Sequence, residues 1–261
     1  MAASKTAERL LFDLVHDMVA DGLRPGDRLA PQPELMRRHG VGPTPLREAL
    51  RMLELAGLVS VRPGPSAGTI VETADVEHLA ALVAPFLCLA GVTYGQLMDA
   101  WAATEPLLAA AAAANPDRAM VKAELTAFAA EPDSEEPVDS AHAIDFHDAV
   151  ARAAGNPALA LAGQVLAYVA ADLYWANTDT VPPGGGVRHD HHKVADAILA
   201  GDAALAKTAM EDHIRSAADG VLERIGGTRD APFVWARRRA GLAAYRQRPL
   251  ARGASSGGST K

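Results

Sequence analysis

The chain has 261 residues, of which 49% are hydrophobic and only 5% aromatic, and its formal net charge is −7. That length accommodates two modest domains, and a composition rich in Ala and Leu favours helix. Cys88 is the sole cysteine, which excludes an intrachain disulfide framework or a thiolate metal cage and fits a reducing compartment.

The opening MAASKTAERL has no apolar signal core, and the longest apolar stretches, such as 79–92, are too short or too interrupted to span a membrane. The expectation is a soluble, cytoplasmic protein with no membrane partner. Charge is unevenly placed. Residues 1–71 carry nine basic and eight acidic side chains, 72–225 carry eight and 23, and 226–261 carry eight and one. Phosphate neutralisation is local, so a polyanion is compatible with the first segment and is repelled by the acidic middle.

Residues 5–22 place Leu10, Leu11, Leu14, Val15 and Met18 at helical spacing, with Asp13, Asp17 and Asp21 on the wet side. Gly22 and Pro25-Gly26 end that helix. A short helix over 32–38 follows, then a turn at Gly40. Thr44 suits the cap of a second short helix, with Pro45 at its first position and a stop at Gly57. LVSV (58–61) and GTIV (68–71) read as two strands around Pro63-Gly64-Pro65. That order is a winged helix-turn-helix over residues 5–72, a shape that places one helix in the DNA major groove. Arg47 and Arg51 lie four apart near the start of the second short helix and share a face, while Leu46, Leu50 and Leu53 form its buried side. Arg62 and the tip at Ser66-Ala67-Gly68 suit DNA backbone or minor-groove contact.

From residue 75 the pattern is helical throughout, with spans predicted at 75–91, 94–114, 116–130, 138–154, 157–178, 188–200 and 202–225. The expected fold is mainly α: the winged head, then a bundle of six or seven antiparallel helices over 75–225. Residues 226–261 read as a basic, partly disordered tail whose FVWARRR cluster (233–239) suits docking or polyanion binding.

Gly201-Asp202 reads as a tight turn between two antiparallel helices. His191 precedes it by about ten residues and His213 follows by about eleven, so both reach nearly the same height at a rise of about 1.5 Å per residue. With His147 from an earlier helix they would make a facial three-nitrogen site, suited to zinc, nickel or another imidazole-preferring divalent ion.

GLRPGDRL (22–29) and PLREALRMLELAGLVSVRPGPSAGTIV (45–71) resemble the GntR family of bacterial transcription regulators. DFHDAVARAAGN (145–156) and HKVADAILAGDAALAKTAMEDHI (192–214) resemble the FCD effector domain of its FadR-type subfamily. The resemblance implies DNA contacts at Thr44 and Arg47 with Gly68 at the wing tip, and it implies a homodimer. Two family arginines are replaced by Pro33 and Pro43, which removes two charges and donors. His147, His191 and His213 match the histidines of metal-binding members, but the position of the family Asp ligand is Ala143. Carboxylate-binding members commonly carry arginine four residues before the position of Glu105, where this chain has Trp101. The effector pocket is therefore expected to take in Trp101, Glu105, Asn156, Tyr174 and Trp175, and to hold something larger or more aromatic than a simple carboxylate.

These readings predict a ligand-responsive transcription regulator, a repressor acting as a dimer on a pseudo-palindromic operator, and not an enzyme. Two alternatives stand beside it. A metal-dependent hydrolase would use the three-His site, although no HExxH, GxSxG, P-loop or dinucleotide fingerprint is present and Asp145, Asp148 and Asp190 have no marked spacing. A sensor or scaffold would keep the head's shape without its DNA specificity.

Overall fold

The computed structural model describes residues 2–62, 68–73, 76–130, 140–175, 187–224 and 228–235. The wing tip at 63–67, the acidic stretch 131–137, the PPGGG run, the tail from 236 and the side chains of Tyr174 and Trp175 lie outside the described residues.

The head comprises α1 (Ala2–Ala20), α2 (Gln32–His39), α3 (Pro43–Leu55), β1 (Val59–Arg62) and β2 (Gly68–Val71). The apolar stripe of α1 supplies Leu10, Leu14 and Met18 to a core shared with Leu35 of α2, Leu46, Ala49, Leu50 and Leu53 of α3, and Val59. Fully burying side chains of this size contributes roughly 1.5–3 kcal/mol each, so the core itself holds the short α2 and α3 in place. Gly40 ends α2 at φ 64°, a left-handed turn that glycine adopts without steric cost. β1 and β2 pair antiparallel, from Val59 opposite Val71 to Arg62 opposite Gly68.

The residues before α2 join this sheet. Leu29 N donates to Thr69 O at 2.9 Å and Val71 N to Asp27 O at 2.9 Å, with a bridge between Arg28 and Ile70. The sequence shows no strand there, because three extended residues are too few to show a period. A second correction concerns α3. Its N-cap is Gly42, with Pro43 at the start and no side-chain cap, so Thr44 and Pro45 lie inside the first turn. First-turn N–H groups have no helical acceptor, so both prolines fit there without losing a hydrogen bond. Arg38 on α2 ties back to Asp17 of α1 at 3.2 Å and to Asp21 just past its end at 3.1 Å.

The body is a bundle of α4 (Val76–Leu89), α5 (Tyr94–Ala114), α6 (Arg118–Ala129), α7 (Ser140–Ala153), α8 (Pro157–Trp175), α9 (Val187–Ala200) and α10 (Ala203–Arg224). α5 is central: it packs against α7, α8, α9 and α10. Its burial is on several sides, as Leu97, Met98, Trp101, Leu108, Ala109 and Ala112 are all in the core. Thr93 caps α5 reciprocally with Gln96. Arg118 closes another corner, donating to Ala113 O, Ile198 O and Leu199 O and so satisfying carbonyls at the ends of two helices.

Part of the stretch expected to be tail is docked. Residues 228–235 form a strap across the start of α5. Tyr94 N donates to Ala231 O at 3.0 Å, Gly95 N to Arg229 O at 2.8 Å, and Phe233 N to Val92 O at 2.8 Å. Phe233 is buried and meets Tyr94 edge to face, and Arg229 pairs with Asp99. A Cβ on Gly95 would stand 2.9 Å from Arg229 O, so only glycine admits this approach.

Candidate functional site

Two places carry chemistry. The first is the exposed side of α3. Burying Leu46, Ala49, Leu50 and Leu53 inward leaves Thr44, Arg47 and Arg51 exposed along the opposite stripe. Arg47 Nε donates to Pro43 O at 3.3 Å, which sets the guanidinium near the helix start. Arg62 is exposed at the end of β1, opposite Gly68, which opens β2. Pro33 and Pro43 are exposed on the first turns of α2 and α3, where they present neither charge nor donor.

The second place lies inside the body. α7, α9 and α10 bring His147, His191 and His213 together, with one ring nitrogen of each within 4.8 Å of the others. All three are buried, at 9%, 1% and 4% exposure. His147 Nε2 and His213 Nε2 face each other at 3.4 Å. The His191 ring stacks on Phe146 at 3.9 Å between centroids and 14° between planes, which fixes its orientation. The height argument from Gly201-Asp202 thus agrees with the geometry.

Carboxylates stand behind two of the imidazoles. Glu105 on α5 is 1% exposed, and its Oε2 is 3.0 Å from His147 Nδ1. Trp101 Nε1 donates to the other oxygen of the same carboxylate at 3.4 Å. Asp190, one residue before His191, places Oδ2 at 3.8 Å from His213 Nδ1. Burial holds His213 below the usual histidine pKa, against the opposing pull of Asp190. Contact with His213 in turn holds Asp190 below the usual carboxylate range. Asp148 differs: burial raises its pKa, while Gln164 at 2.7 Å and Tyr168 at 2.9 Å donate to its two oxygens.

The donor set fits a divalent ion. Two nitrogens held at about 2.0–2.1 Å from a tetrahedral ion are about 3.3–3.4 Å apart, which is the spacing of the two Nε2 atoms. Three imidazoles would hold the ion, and it would supply Lewis acidity and a position for a water or an effector group. Ala143 sits one turn before His147 on α7 and brings no oxygen ligand.

Of the residues expected to line the effector pocket, the side chains of Tyr174 and Trp175 lie outside the described residues. Trp101 and Glu105 are together beside the histidines. Trp101 is in the core with its N–H directed at Glu105. Asn156 is exposed, and its Oδ1 accepts from Leu159 N at 3.2 Å as part of the α8 start. His189 is exposed, and His192 pairs with Asp196 at 3.1 Å on the same helix. Asp190 was missed as a partner of His213. The signal lay in its adjacency to His191, one position around the helix.

A winged head with its own core, followed by a helical body enclosing a polar cluster, defines a DNA-binding transcriptional regulator. The chain belongs to the GntR family: residues 6–69 match the model described as bacterial regulatory proteins of the gntR family, and residues 96–216 match the FCD domain. It is 27% identical over 207 residues to the HTH-type transcriptional regulator Rv0494 of Mycobacterium tuberculosis, covering 78% of this chain and 85% of that protein. It is 26% identical over 212 residues to Mce2R of the same organism, covering 78% and 87%. Among solved structures, Streptococcus agalactiae GntR shares the fold at a TM-score of 0.53 and 20% identity, over 83% of this chain and 99% of that one. Among the described residues, no helix is long and apolar enough to cross a membrane.

Proposed function

We propose that this regulator is a ligand-responsive repressor that reads a pseudo-palindromic operator as a homodimer in the cytoplasm. Thr44, Arg47 and Arg51 on α3 are its readers, with Arg62 and Gly68 on the wing. The supporting observation is the stripe itself: two arginines and a threonine left exposed on one face of a helix whose other face builds the head's core. Recognition helices present such a face to base edges and phosphates. The body is the sensing unit, with His147, His191 and His213 as the holders of a divalent ion. A signal acts by favouring one of two arrangements of the heads, which requires that it bind them with unequal affinity. The domain limits of this reading are 5–72 for the head and 75–225 for the helical body, to which the docked strap 228–235 is added.

The test is a mobility-shift titration of the full chain against the DNA upstream of its own gene and against random duplex. Measurements run at several salt concentrations, with and without zinc. Preference for the upstream DNA that changes with zinc supports the proposal. Equal affinity for both duplexes would instead favour the sensor or scaffold reading. Metal-dependent substrate turnover that survives removal of residues 1–72 would favour a hydrolase.

A further inference from the structure

We propose that Glu105 and Asp190 act as an outer carboxylate pair for the three-histidine site, supplying from behind the imidazoles the negative charge that the inner set lacks at Ala143. The inference rests on the reading of His147, His191 and His213 as metal holders. It assigns roles to two residues that are not themselves ligands.

The argument begins with protons. An imidazole has two ring nitrogens, and a carboxylate beside one of them takes the N–H there, leaving a lone pair on the other. Glu105 lies 3.0 Å from Nδ1 of His147, and Asp190 is on the Nδ1 side of His213. The lone pair of His147 then falls on Nε2, the charge of Asp190 favours the same tautomer in His213, and the two Nε2 atoms face each other at 3.4 Å. Two lone pairs aimed at one another repel. A cation between them removes the repulsion. The carboxylates thus select the tautomer in which this pair of histidines is a ligand pair.

The surroundings keep Glu105 assigned to that task. It is 1% exposed, so water does not screen it. Trp101 gives its other oxygen one neutral N–H at 3.4 Å and no charge. An arginine at that position would neutralise Glu105 and compete with His147 for it. With tryptophan there, the carboxylate's electrostatic effect falls on the imidazole. Three neutral nitrogens and two outer carboxylates balance a doubly charged ion without an inner oxygen ligand. Such a set favours zinc, nickel or cobalt over manganese or magnesium, which prefer oxygen.

The experiment uses the full-length protein stripped of metal. Zinc affinity is measured by competition with a chromophoric chelator, and the cobalt(II) visible spectrum is recorded. The variants are Glu105→Gln, Asp190→Asn and, as a remote carboxylate, Glu124→Gln, whose partner is Arg152. Wild type should bind one equivalent of zinc. Glu105→Gln keeps an acceptor for Nδ1–H but loses the charge, and should weaken zinc about tenfold or more. Asp190→Asn should act in the same direction, and both should shift the cobalt bands, whereas Glu124→Gln should change neither. Wild-type zinc affinity and an unchanged cobalt spectrum in both Glu105→Gln and Asp190→Asn would overturn the inference and leave the metal site standing. Failure of the wild type to bind zinc, or zinc binding that survives loss of all three histidines, would overturn the metal reading itself. If Glu105→Gln fails to fold, the more exposed Asp190→Asn decides the matter alone.

Discussion

Trp101 and Glu105 stand one turn apart on α5, and the indole N–H of the first donates to the carboxylate of the second at 3.4 Å. The polar end of the tryptophan is therefore committed within the protein. A small dicarboxylate meets no positive side chain from this position and has Glu105 to repel it. Calorimetric titration with succinate or a similar dicarboxylate should give no measurable heat in metal-free protein. A micromolar dissociation constant there would contradict this account.

On the head, Arg47→Ala and Arg51→Ala should each weaken operator binding and reduce the salt slope by about one, the signature of one lost phosphate contact. Both side chains are exposed, so stability should change by no more than about 0.5 kcal/mol. Pro43→Arg should have the reverse effect on DNA, steepening the slope by about one. Fluorescence anisotropy across a salt series checks all three variants.

Ala143→Asp adds a carboxylate one turn before His147, on the same face of α7. It should raise manganese affinity by more than it raises zinc affinity, because oxygen ligands favour the harder ion. Competition titrations with both ions report the ratio. An unchanged ratio would show that position 143 does not reach the ion.

Acid should destabilise the metal-free protein near neutrality. Burial lowers the His213 pKa in the folded state relative to an unfolded value of about 6.5. Between the lowered value and about 6.5 the unfolded chain holds more protons, so stability rises with pH there. The contribution is complete above about pH 6.5 and is lost as pH falls through the folded value. Asp148 has the opposite sign: its raised pKa gives stability in acid that is lost as pH rises through that raised value. Thermal melts between pH 5.5 and 7.5 should show Tm rising with pH up to about 6.5 and levelling above it, and His213→Gln should flatten the rise.

Arg118→Ala removes donors from three carbonyls at the ends of α5 and α9 and should cost about 2 kcal/mol. Arg118→Lys should recover little of it, because one ammonium cannot span the same three acceptors. Urea unfolding followed by circular dichroism measures both.

Periodicity was a sound guide where a long helix buries one face. The spacing of Leu46, Leu50 and Leu53 marked the inner side of α3, and the turn at Gly201-Asp202 placed His191 and His213 at one height. It was a poor guide to partners across the bundle. Glu105 and His147 are 42 positions apart, and nothing in either local pattern says that their side chains meet. Short extended pieces were also hidden. Residues 27–29 and 228–235 are held by backbone groups of other elements, and such hydrogen bonds leave no mark on side-chain pattern. Helix starts were ambiguous for a chemical reason: Pro43 and Pro45 are both acceptable in a first turn, so Gly42 rather than Thr44 became the boundary.

The strap over α5 bears on how the protein can be divided. Its carbonyls from Arg229 and Ala231 accept the first N–H groups of the helix that carries Trp101 and Glu105. A gene fragment cut at the end of the FCD match, residue 216, would encode every histidine of the cluster yet leave Tyr94 and Gly95 without those acceptors and Phe233 missing from the core. The smallest body that folds as it does in the intact chain therefore ends no earlier than residue 235, and recombinant fragments for binding studies should keep those residues.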